Sequence, residues 1–142
     1  DGPITFTTAS SPPSPGAWDG ITYANGSTGY LNLAIVEYAV HAVTLDTSNA
    51  ITISHSALRY NQHVTAGDQD AYGAGLTIMQ GDHLIEYTAI YSNTVETSYD
   101  GADVYGGGID IWEGNSRILH SSIYENSAAT ASGADNNRFQ FF

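Results

Sequence analysis

The stretch from Tyr72 to Asn93 is written again thirty-three residues later, from Tyr105 to Asn126, and this repetition limits what the chain can fold into. Tyr72-Gly73-Ala74-Gly75-Leu76 returns as Tyr105-Gly106-Gly107-Gly108-Ile109, and Leu76-Thr77-Ile78 returns as Ile109-Asp110-Ile111. The spacing Ile85-(x4)-Ile90-(x2)-Asn93 recurs as Ile118-(x4)-Ile123-(x2)-Asn126. Two earlier copies are partial: Val43-Thr44-Leu45 with Ile53-(x4)-Leu58-(x2)-Asn61, and Ile21-Thr22-Tyr23 with Leu31-(x4)-Val36-(x2)-Ala39. A period of 33 is the length of helical ankyrin units, but the residues refuse helices. Each copy carries short alternating β-branched runs, broken by Gly, Asn, Asp and Ser, and lacks an apolar stripe at i, i+3, i+4, i+7. Strands follow from that pattern.

The period varies while the strand pattern holds. From Ile21 to Val43 is 22 residues, and the next two steps, to Leu76 and Ile109, are 33 each. The extra eleven fall after the Asn61 and Asn93 positions, as an optional loop on a coil of fixed cross-section would. The expected fold is all-β: a single-stranded parallel β-helix, or β-solenoid, of about four to five coils with its long loops on one side. A partial rung at 3–7 precedes coils at about 18–39, 40–61, 72–93 and 105–126, and a closing strand is expected at 137–142. All of this makes one domain, 1–142. On these I-(x4)-I-(x2)-N coils the chain resembles the parallel β-helix proteins of the pectate-lyase-like superfamily, of the bacterial or archaeal surface type. Ala17-Trp18-Asp19-Gly20-Ile21, after a proline-rich loop, adds to the likeness. The resemblance implies a right-handed coil, in line with the chirality of parallel crossovers. It implies nothing specific about function, because this scaffold hosts lyases, hydrolases, adhesins and phage fibres.

Fifteen acids against three arginines and no lysine give a formal charge of −12, which argues against nucleic acid or anionic membrane surfaces as partners. No apolar run approaches the roughly 18 residues of a membrane span. With no cysteine, disulfides, thiolate metal sites and a Cys nucleophile are excluded. Charged residues are only 13%, and Ser, Thr, Gly, Asn and Tyr supply the polarity, a composition suited to an extracellular or cell-surface protein.

The repeat alignment assigns columns. Leu31, Ile53, Ile85 and Ile118 form one inward stack, and Val36, Leu58, Ile90 and Ile123 a second. Period 2 places Leu33, His55, Tyr87 and His120 inward as well, as packed core residues. Asn61, Asn93 and Asn126 form an amide ladder bonding the turn backbone, and Asn49, Asp82 and Asn115 form a turn column. Asp70, Asp103 and Asp135 share a column, with Asp68 and Asp100 on the same side; these are hard oxygen ligands of the kind calcium takes, or else simply solvated acids. Tyr72 and Tyr105, with Tyr91 and Tyr124 on other faces, offer a sugar-stacking platform or a stabilising ladder. Asn25-Gly26-Ser27 reads as a turn that is also a glycosylation sequon.

An enzyme on this scaffold would use the strand face whose outward residues are Thr22, Thr44, Thr77 and Asp110. That face carries no Lys or Arg for a lyase, and the acids available to a hydrolase are Asp110, Glu113 and Asp82. The expected function is therefore a non-catalytic structural or adhesive extracellular solenoid. A carbohydrate-active enzyme, or a fragment of a larger adhesin, is the alternative. The partner expected first is a second copy of the chain. An opening strand at Ile4 and Phe6 and a closing strand with Phe139, Phe141 and Phe142 are complementary parts of one rung, predicting head-to-tail filaments with an axial repeat of about 20–25 Å.

Overall fold

The computed structural model describes residues 2–99 and 101–130. Asp100, Asp135 and the expected closing strand with Phe139, Phe141 and Phe142 lie outside the described residues. Alternating β-branched runs too short for helices form strands throughout, and none of the described residues is helical. An opening strand β1 (Ile4–Phe6) precedes the first coil, which holds β2 (Ile21–Tyr23), β3 (Gly29–Asn32) and β4 (Ala34–Glu37). The second coil is longer: β5 (Val43–Asp46), β6 (Ile51–Ser54), β7 (Ala57–Arg59), β8 (Gln62–Thr65) and β9 (Ala71–Tyr72). The third matches it with β10 (Leu76–Gln80), β11 (Leu84–Glu86), β12 (Ala89–Tyr91), β13 (Thr94–Thr97) and β14 (Val104–Tyr105). The fourth supplies β15 (Ile109–Ile111), β16 (Arg117–Leu119), β17 (Ser122–Tyr124) and β18 (Ser127–Thr130).

Each strand pairs in parallel with its counterpart one coil away, giving sheets β2-β5-β10-β15, β3-β6-β11-β16, β1-β4-β7-β12-β17, β8-β13-β18 and β9-β14. The fold is a parallel β-solenoid of about four turns, as the repeat requires. Leu31 pairs with Ile53, Ile53 with Ile85 and Ile85 with Ile118. Val36, Leu58, Ile90 and Ile123 align in the same way. These columns form the main core with the fully buried Val43, Leu45, Leu76 and Ile78, and Ile118 and Ile123 of the fourth coil pack against it partly buried.

The asparagine ladder closes the turn after the second column. Asn61 donates to Oδ1 of Asn93 at 2.8 Å, Asn93 donates to Oδ1 of Asn126 at 2.9 Å, and Ala39 N–H donates to Oδ1 of Asn61. Each buried amide thus satisfies a neighbouring rung, where an apolar residue would leave turn N–H groups unpaired.

Three expectations are corrected. Leu33, His55, Tyr87 and His120 do not point inward: they are exposed, with φ between 48° and 53°. A single left-handed residue bends the chain from one sheet to the next and resets the alternation, so counting by two across it assigns the wrong side. Tyr38, Tyr60, Ser92 and Glu125 make the next corner the same way. Thr77 and Asp110 are outward in register but not exposed, at 0% and 2%, because other chain segments cover that face. The eleven-residue insertions are not free loops. Their strands β8, β9, β13 and β14 stack in step with the rungs, together with β18, as a side lobe having its own small core of Ala71, Ala74, Val95 and Val104, with Ala128 against it.

Candidate functional site

The lobe stands beside the sheet β2-β5-β10-β15, and a cleft of about 640 Å³ opens between them. The lobe contributes His63 and Thr65 from β8, Gln69 and Asp70 from the following turn, Tyr72 from β9 and Tyr105 from β14. The sheet contributes Asp110, Ile111 and, just past β15, Trp112. The repeated glycines explain how the two halves approach. Gly73 has φ +48°, and a Cβ there would strike the Thr77 hydroxyl; a Cβ on Gly107 would strike the Ser127 carbonyl. Only glycine fits such positions. In return Thr77 donates its hydroxyl to the Gly73 carbonyl at 3.0 Å, fastening lobe to sheet.

Aromatic rings line the cleft. Tyr72 and Trp112 meet edge to face, centroids 5.5 Å apart with planes at 70°. His63 meets Tyr72 at 5.2 Å and 81°, and His41 stacks on Tyr72 at 5.3 Å and 21°. Trp112 is 54% exposed yet held in place, because its indole N–H donates to Asp110 Oδ2 at 2.7 Å. Burial pushes the Asp110 carboxyl above the ordinary aspartate range, a rise that the bonds from the Trp112 indole and the Ile111 backbone N–H oppose. Burial likewise holds the His63 imidazole below its ordinary value, with the Tyr72 carbonyl acting the other way and His41 adding to the depression. His63 Nδ1 lies 2.8 Å from that carbonyl and 3.1 Å from the Tyr72 N–H, so backbone contacts fix its ring.

The structure separates the acids named from sequence. Asp110 lines the cleft; Glu113 and Asp82 do not. Glu113 is exposed beyond β15, and Asp82 Oδ1 accepts the Asn115 N–H at 2.7 Å within the turn column. The other acid lining the cleft with Asp110 is Asp70, from the lobe. Asp70 and Asp103 lie in adjacent rungs, where Asp70 Oδ1 accepts the Asp103 N–H at 2.9 Å and Asp103 Oδ2 accepts the Tyr105 hydroxyl at 2.7 Å. Asp68 is exposed on the turn leading to them. Among the described residues no three acids or histidines gather closely enough to hold a metal. Asn25 sits at an exposed turn, where Ser27 N–H donates to the Ala24 carbonyl at 2.9 Å.

Trp112, His41 and His63 escaped the sequence reading. The signal for two of them was a break in a column: His63 occupies the position of Val95 one rung on, and Trp112 follows Ile111 as Met79 follows Ile78. No family model, curated protein or solved structure matches the chain. The chemistry of the cleft is therefore argued from its own residues.

Proposed function

We propose that the chain is an extracellular adhesive β-solenoid that holds carbohydrate in the cleft between lobe and sheet without transforming it. The observation that carries this reading is the pairing of an exposed ring, Trp112, and a half-buried one, Tyr72, with polar side chains of Thr65, Gln69, Asp70 and Asp110 in one concave site. Sugar rings present apolar C–H faces and polar rims, and such a surface matches both. The composition, poor in charged residues and with Ser, Thr, Gly, Asn and Tyr supplying the polarity, supports placement outside the cell. The test is retention on a panel of immobilised plant, algal and bacterial polysaccharides. Wild-type protein is retained by at least one of them and Trp112→Ala is not; equal behaviour of the two would sink the reading.

A catalytic alternative draws on Asp110, whose buried, upward-shifted carboxyl is the kind of group that donates a proton. Product release from those polysaccharides, abolished in Asp110→Asn, would replace adhesion with hydrolysis.

Assembly belongs to the same proposal. In register, Ile4 pairs with Ala34 and Phe6 with Val36, so both side chains face the core axis, yet they are 65% and 37% exposed. Among the described strands β1 pairs on one edge, with β4. A rung completed by a second copy would cover these side chains. Filaments of wild-type protein that vanish on deleting 137–142 support this, and wild-type protein that stays monomeric at high concentration overturns it. We also infer a right-handed coil of the pectate-lyase-like type, supported by the chirality of parallel crossovers and by the ladder of Asn61, Asn93 and Asn126.

A further inference from the structure

Resting on the carbohydrate reading, we infer that the ligand is an amine-bearing sugar, an oligosaccharide of unacetylated amino sugars, whose ammonium group is held in the cleft by the exposed Trp112 ring and the Asp70 carboxylate. Three observations meet in the cleft. Its walls include the Trp112 ring, 54% exposed and braced edge to face against Tyr72 at 5.5 Å between centroids. A cation placed within about 6 Å of such ring centroids is attracted by their electron-rich faces. The carboxylates of the site are Asp70 and Asp110, and Asp103 adjoins them through the Tyr105 hydroxyl.

The third observation is that, among the described residues, no Lys or Arg faces these carboxylates. None of the nine lining residues is Lys or Arg. Arg59 is bound on another sheet, its guanidinium donating to Glu37 at 2.8 Å and to the Tyr91 hydroxyl at 3.1 Å, and Arg117 lies on β16. A uronate would bring a negative charge to a site that offers it no partner, within a chain of formal charge −12. A neutral glucan would use the rings and leave the carboxylates without a counter-charge. An ammonium-bearing sugar uses both. His63 does not compete for the carboxylates, because burial disfavours its charged form.

The experiment is titration of the full chain with a glucosamine tetramer, its fully N-acetylated counterpart, a cello-tetraose and an oligogalacturonate, followed by tryptophan fluorescence and calorimetry at low and moderate salt. The amine-bearing tetramer is expected to bind about tenfold more tightly than the acetylated and neutral ones, the size of a desolvated cation–ring contact with a counter-charge, and salt should weaken it. Asp70→Asn keeps an oxygen for the Asp103 N–H while removing the charge, and should bring the four ligands close to one affinity. Trp112→Ala should abolish binding of all of them, in a variant whose far-UV circular dichroism matches wild type; because the change also removes the indole bond to Asp110, Trp112→Phe, which keeps a ring, should retain part of the amine preference. Equal affinities for amine, acetamide and hydroxyl sugars overturn the inference and leave the carbohydrate reading standing. Amine binding unchanged by Trp112→Ala overturns it as diffuse attraction to an acidic surface. If no sugar binds, both fall.

Discussion

In the main coil the core columns are Leu31, Ile53, Ile85 and Ile118 against Val36, Leu58, Ile90 and Ile123; in the lobe they are Ala71, Ala74, Val95 and Val104 with Ala128. Both stack by the same parallel ladder, rung over rung at about 4.8 Å. They differ in the apolar area each rung hides. A buried Ile or Leu contributes about 1.5–3 kcal/mol where an alanine contributes little, so the coil stabilises itself and the lobe depends on being fastened to it. The fastening is polar and local: Thr77 to the Gly73 carbonyl, and glycine backbones in close approach. A weakly cored lobe beside a strongly cored sheet gives a cleft whose sheet side is rigid and whose lobe side opens at lower cost. The first coil, 22 residues long and lacking these insertions, has no counterpart of β8 and β9 among the described strands.

Substitutions rank this difference. The largest effect is expected for Ile90→Ala in the main core, a loss of about 3–5 kcal/mol in urea unfolding with the whole solenoid melting together. A loss below 1 kcal/mol would show that the columns are not the source of stability. Next comes Asn93→Ala, which takes the acceptor from the Asn61 backbone N–H and side-chain amide and the donor from the Leu58 carbonyl, and should cost about 2–3 kcal/mol. Val95→Ala in the lobe is expected at about 2 kcal/mol or less in global unfolding, with hydrogen exchange accelerated in β8, β13 and β9 before the main sheets respond. Uniform acceleration everywhere would erase the distinction between coil and lobe.

The smallest and most specific effect is on pH dependence. Asp110 holds its proton more tightly folded than unfolded, so its contribution to stability declines as pH rises from 3.8 through the raised native value. His63 is the reverse case: its native value lies below 6.5, so stability is lost as pH falls from 6.5 through that lowered value. Asp110→Asn should remove the first slope and His63→Gln the second, each read from stability curves between pH 3 and 8. Curves identical to wild type would show that neither group is buried as described.

What the sequence determined by itself is the solenoid. Identical spacing in successive copies, with β-branched residues at alternate positions, leaves no other way to bury Ile53, Ile85 and Ile118 together, and it aligned the amide ladder through Asn61, Asn93 and Asn126. Alternation is a local rule and held wherever the chain stayed extended. It failed at Leu33, His55, Tyr87 and His120, where one left-handed residue turns the corner, because a single backbone angle in an unexpected region reverses every later assignment until the next anchor. Nor could spacing show that the eleven added residues form strands, or that Asp110 is buried under Trp112 while Glu113 stays in water. Those outcomes depend on how segments distant in sequence cover one another. Only the tertiary structure decided them, since burial belongs to the assembled surface and not to any residue's own pattern.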